Sequence, residues 1–196
     1  MNRPADMIPP RPVGGSLAFR GGQPLLTLAL GILLINAAVV LWLLFLGREF
    51  LPENVPLYWW NPSTALSHNS QHLTDFYSAL HAISGAALFF LARRLRPGWP
   101  VGTRLLLVIA CSGLWEIVEN TPWVISLFND PDGIDVYQGD SIVNALSDTG
   151  FVALGFLAAH NFPRWLVIAG GGLAEIAVAL MIHDGFVLGT ARMILR

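Results

Sequence analysis

Lysine is absent, so every fixed positive charge in the 196 residues belongs to one of 11 arginines. Charged residues of all kinds make up only 12% of the chain, against roughly 25% in soluble domains, which argues against a soluble enzyme. Cysteine is nearly missing too. The single Cys111 lies inside an apolar run and has no partner for an intramolecular disulfide, so a disulfide-stapled secreted domain is excluded and the thiol reads as a small hydrophobe. A net charge of −2 points to neither nucleic acid nor anionic lipid as a partner. What the chain has in abundance is apolar surface, 54% of its residues. A transmembrane helix uses about 20 mostly apolar residues, and five such segments can be marked.

The first runs from about Pro24 to Leu46, too long for a signal-peptide core and followed by no small-residue cleavage pattern. The others cover about Thr74 to Ala92, Arg104 to Val118 (with an extension towards Phe128), Ser141 to Ala159 and Arg164 to Ile182. The expectation is an all-α integral membrane protein, a bundle of about five helices over residues 24–183. Residues 1–23, rich in proline and glycine, read as a tail without a core. The last segment, 184–196, is too short to span and fits the membrane surface. Asp130-Pro131-Asp132-Gly133 is a turn by composition, and Gly170-Gly171-Gly172 suggests a close helix approach in the fifth span.

Orientation follows from the arginines, which gather near cytoplasmic span ends. Arg3, Arg11, Arg20, Arg93, Arg94, Arg96, Arg104 and Arg164 all fall on one side. That predicts a cytoplasmic N-terminus and an outer C-terminus.

Ionisable groups within spans are costly and normally face a bundle interior. Near the start of the second span, His72 and Asp75 share a face, with Gln71, Thr74, Ser78 and His81 in a neighbouring stripe. Ser112, Glu116, Glu119 and Asn120 line one face of the third, just before Pro122, which ends or kinks the helix. Asp140, Asn144 and Asp148 follow at intervals of four in the next. At 1.5 Å per residue, Glu116 lies roughly 18 Å above Arg104, while Asn144 and Asp148 lie roughly 6 and 12 Å below Asp140. The stripes therefore converge in the outer half of the membrane. No arginine shares their depth, so the carboxylates need protons, a metal or a cationic ligand. Histidines among carboxylates suit a divalent ion such as zinc, manganese or iron, with His72, Asp75 and His81 as ligands. No HExxH, CxxC pair or phosphate-binding glycine loop is present.

Three stretches carry a resemblance: Asn69 to Ser78 with His81, Trp115 to Thr121, and Gly139 to Asp148. They resemble a bacterial family of multi-pass inner-membrane proteins, uncharacterised protein family three hundred and fourteen, also called domain of unknown function twenty-five eighty-five. The resemblance implies a fold and a location, and no activity. His183-Asp184-Gly185 is a looser match to the family's arginine, aspartate and asparagine run. The order of histidine, glutamate and aspartate with asparagine is also distantly similar to VanZ-like proteins, which implies an envelope-related role.

Three functions fit the residues. One is a membrane enzyme, with or without a divalent metal, acting on a lipid or lipid-linked substrate. In it Glu116, Glu119 and Asp140 form the catalytic set, and Gln71, Asn120, Asn144 and Asp148 bind or orient. The second is a proton or cation pathway, disfavoured by the apolar inner halves of the spans. The third is a non-catalytic assembly factor. Membrane lipids are the partners all three share.

Overall fold

A computed structural model describes residues 24–53, 55–129 and 134–195. The tail expected over 1–23 and the turn expected over 130–133 lie outside them. The described residues form α1 (Leu25–Phe45), α2 (Tyr77–Leu95), α3 (Val101–Glu119), α4 (Pro122–Phe128), α5 (Ile142–Asn161), α6 (Arg164–Ile182) and α7 (Phe186–Leu195), with a short 3-10 turn at Leu66–His68 and no strand among them. α1, α3, α5 and α6 are long and apolar enough to cross a membrane. α2 has 19 residues as well, but Ser78, His81, Arg93 and Arg94 dilute its apolar character.

Local chemistry accounts for the boundaries. Ser141 caps α5, its Oγ accepting the Asn144 N–H at 3.2 Å. Pro122 supplies no N–H, so α3 stops at Glu119 and α4 starts anew behind the Thr121 cap. α2 begins at Tyr77, three residues later than the sequence suggests, because the Asp75 carboxylate takes the N–H groups of Tyr77 (2.8 Å) and Ser78 (3.3 Å). Residues 71–75 are consequently loop, and the stripe of Gln71, His72 and Asp75 is not a helical face.

α2 and α5 pair most closely. A Cβ on Gly85 would collide with the carbonyl of Val152, and one on Gly155 with the carbonyl of Ala82, so two reciprocal glycines let the backbones touch. The Gly170 to Gly172 run behaves otherwise. Gly170 and Gly172 face open space and Gly171 has only an ordinary contact with Ile83, so the close approach falls elsewhere than in α6. Beneath the α2 and α5 contact, Phe89 and Phe156 meet edge to face at 5.0 Å, within a core completed by Val108, Ile109 and Val152. That layer closes the arginine-bearing half of the bundle.

Candidate functional site

The acidic end of the bundle is roofed by the segment between α1 and α2, which folds back over the start of α5. Ser141 N–H donates to the Ser70 carbonyl (3.0 Å), Ser141 Oγ to the Gln71 carbonyl (2.9 Å), Gln71 Nε2 to the Gly139 carbonyl (2.7 Å) and Asn144 Nδ2 to the His72 carbonyl (2.8 Å). Gln71 and Asn144 therefore hold the roof down. His72 belongs to the roof as well: its Nδ1 accepts the Tyr58 N–H at 3.3 Å, and its ring packs on Tyr58 and His68. Burial, with His68 adding to it, pushes the His72 imidazole below its usual pKa.

Asp140 and Asn120 form a second tier. Asp140 Oδ1 accepts the Tyr137 hydroxyl at 2.5 Å, its Oδ2 accepts Asn120 Nδ2 at 2.7 Å, and its N–H donates to Asn120 Oδ1 at 2.8 Å. Asp75 is equally occupied, accepting from Ser70 (3.0 Å) as well as from Tyr77 and Ser78. Burial raises both carboxyls above the usual aspartate value while these hydrogen bonds oppose it. Every oxygen of Asp75 and Asp140 thus already has a donor.

One or two turns deeper the pattern reverses. His81 on α2 lies 3.8 Å (Nδ1) from Glu116 Oε1 on α3 and 3.7 Å (Nε2) from Asp148 Oδ2 on α5. Glu119 joins them, so that one donor atom each from His81, Glu116 and Glu119 lies within 4.8 Å of the others. Glu116 is fully buried. Both of its oxygens, Glu119 Oε2 and Asn144 Oδ1 are buried without a hydrogen-bond partner. Asp148 is tied to α2 by Ser78 Oγ at 3.3 Å. The convergence expected for the third and fourth spans is present, with His81 as its histidine. His72 and Asp75, expected as ligands, stand outside the group because roof and cap hydrogen bonds hold them.

Two neighbours were not joined to the stripes by sequence, although Arg48 falls on the outer side. Arg48, just past α1, reaches the acidic end and donates to the carbonyls of Gln138 and Asn120, the latter at 3.0 Å. Its guanidinium lies where a Cβ on Gly139 would be, and Gly139 also has a positive φ of 92°, so no other residue fits there easily. Arg48 contacts carbonyls, not carboxylates. Among the described residues the arginine pair with a carboxylate is Arg192 with Asp184, at 3.9 Å, and Asp184 in turn accepts the Tyr77 hydroxyl at 2.9 Å. Tyr137 is the other omission, and its position three residues before Asp140 was the available signal. Glu175 accepts the Val187 N–H at 3.0 Å and so secures the start of α7.

Residues 43–195 match the family described as a protein of unknown function, DUF2585. The chain belongs to that family. Its relatives include a UPF0314 protein of Brucella anthropi, 33% identical over 82% of this chain and 81% of the relative. Another, from Paracoccus denitrificans, is 35% identical over 79% and 80% respectively. No solved structure matches the chain. All the residues of the roof, the second tier and the deep group fall inside the matched range.

Proposed function

We propose that this DUF2585 protein is a multi-pass inner-membrane enzyme whose deep group, His81, Glu116 and Glu119, holds a divalent metal and acts on a lipid or lipid-linked substrate. The observation that carries the reading is the set of buried, unpartnered oxygens on Glu116 and Glu119 converging on a histidine. Three uncompensated carboxylates, counting Asp148, would be expensive in a low-dielectric interior, and a cation removes that cost. Nitrogen and carboxylate donors suit zinc, manganese or iron. Bound there, the metal would polarise an ester or phosphoryl oxygen, or supply a nucleophile from water.

The chain's own residues have separable tasks in this reading. Asp148 orients His81 from the side opposite Glu116. Glu116 and Glu119 would hold the ion, and whichever kept a free oxygen would accept a proton from the attacking group. Asp140, with Asn120 and Tyr137, fixes the end of α3 and so sets the depth of both glutamates. Asp75 and His72 shape the roof.

A lipid substrate is supported by a crevice of about 450 Å³ between α2, α5 and α6. Ala82, Phe151, Ala177, Val178 and Met181 line its apolar length, and Asp75 with Ser78 stands at its head. A hydrocarbon chain entering from the bilayer would bring its polar end beside the Ser78 to Asp148 contact. In this reading α2 is a fifth span, residues 24–183 form the membrane domain with 184–196 along its surface, and the acidic end faces outward. The gathering of Arg93, Arg94, Arg96, Arg104 and Arg164 at the opposite end supports that orientation. The closed core of Phe89 and Phe156 favours a one-sided site over a transmembrane proton or cation pathway.

Metal analysis of the purified protein tests the proposal. Near-stoichiometric zinc, manganese or iron in the wild type, lost in His81→Asn and Glu116→Gln, supports it. Negligible metal in all three removes it.

A further inference from the structure

The opposite end of the bundle presents the reverse imbalance. Arg104, in the first turn of α3, is 9% exposed, and its buried Nε has no hydrogen-bond partner. Its Cζ lies 6.0 Å from the centre of the Phe89 ring on α2, and His160, at the end of α5, meets the same ring at 5.9 Å. Arg93 follows Phe89 by one helical turn and stands in electrostatic contact with both Arg104 and His160. Arg164, the first residue of α6, sits 5.6 Å from the adjacent Phe90 ring. Three elements thus deliver cations or a protonatable imidazole to one place, with Arg164 beside the neighbouring Phe90 ring.

No described carboxylate is close enough to neutralise them. Along α3 the next acid after Arg104 is Glu116, roughly 18 Å away, and along α5 Asp148 precedes His160 by roughly 18 Å. On α6, Glu175 lies roughly 16 Å past Arg164. Helix polarity at this face is mixed, because α2 and α5 end there with Arg93 and His160 in their last turns, while two other helices begin there. α3 and α6 begin behind Pro100 and Pro163, with no side-chain cap on either first turn. Their free N–H groups carry partial positive charge, which disfavours an arginine and favours an anion at that position. A guanidinium with a buried, unpartnered Nε, close to a second arginine and to an uncapped helix start, is suited to a negative partner.

We infer that Arg104, with Arg93 and His160, binds a phosphate group at the arginine-bearing face, supplied by the headgroup of an anionic lipid. The guanidinium fork matches two phosphate oxygens, and the α3 amides can take a third. The net charge of −2 conceals this site because acids and arginines occupy opposite ends of the bundle. The site does not depend on a metal at the acidic end.

The test is thermal unfolding of the purified full chain in detergent, with phosphatidylglycerol, diacylglycerol or inorganic phosphate added in turn. Phosphatidylglycerol should raise the melting temperature well beyond any effect of diacylglycerol, which has acyl chains for the crevice but no phosphate. Arg104→Gln should shift the phosphatidylglycerol response to roughly tenfold higher concentration. Arg93→Gln, at an exposed position that the fold does not need, should shift it in the same direction by less. Protection by inorganic phosphate at concentrations similar to the lipid's would carry the phosphate site but assign it to a soluble ligand. No response to either phosphate in the wild type, or a response that both variants retain unchanged, overturns the inference.

Discussion

The roof and second tier differ from the deep group mainly in whether their carboxylates already have partners, Asp75 and Asp140 being fully engaged and Glu116 not at all. Asp75 and Asp140 accept five hydrogen bonds between them, and Asn120 and Asn144 join separate segments. A turn or two below, Glu116 has neither oxygen satisfied. Both regions are buried and acidic, so burial and charge alone do not distinguish a framework from a site. The proposed assignment rests instead on which carboxylates lack hydrogen-bond partners. A framework carboxylate should be missed when it is removed, whereas a site carboxylate should cost the fold little and the function everything.

The largest effect on stability is expected from Asp140→Ala. It leaves the Tyr137 hydroxyl and the Asn120 amide buried without an acceptor, a loss of about 4 kcal/mol, read as a drop in melting temperature or in the denaturant midpoint. Next comes Gly155→Ala, whose new methyl meets the Ala82 carbonyl. Forcing α2 from α5 should cost about 2 kcal/mol and pull His81 away from Asp148, so metal content should fall with stability.

The pH dependence gives a further handle on the framework carboxyls. Asp75 and Asp140 have pKa values raised by burial above the usual 3.8, so at pH values between the two the folded state holds protons that the unfolded state has released. Their contribution to stability is therefore complete below about pH 4 and declines as pH rises through the raised values. Unfolding followed from about pH 4 upward should show that decline, and Asp140→Asn should flatten it. Glu116→Gln should change stability least, by about 0.5 kcal/mol in either direction when metal is absent, because it removes a buried charge that had no partner.

Much of the fold was legible because span length and apolar run length report the same physics. The expected spans 24–46, 141–159 and 164–182 correspond to α1, α5 and α6 within two residues. The face of Ser112, Glu116 and Asn120 was legible too, since α3 is regular up to Glu119. Which of the two candidate histidines lies beside the glutamates was not. His72 and His81 are both within reach of span two by number, and the choice between them depends on a roof that folds back through hydrogen bonds to Gly139 and Ser141, far along the chain. Arg48 escaped for the same reason: its partners, Asn120 and Gln138, are distant in sequence. Glycine roles also needed the tertiary structure, because Gly85 and Gly155 matter through each other's backbones and the Gly170 to Gly172 run has no close neighbour to admit.

The most direct measurement is the melting temperature of the wild type and of Glu116→Gln, each with and without a divalent-metal chelator. If the deep group binds metal, the chelator lowers the wild-type value, as removal of a ligand specific to the native state must, and leaves Glu116→Gln where it was, near the chelated wild type. A wild type indifferent to chelator, together with a Glu116→Gln variant that melts well below it, would place Glu116 in the framework and contradict the account.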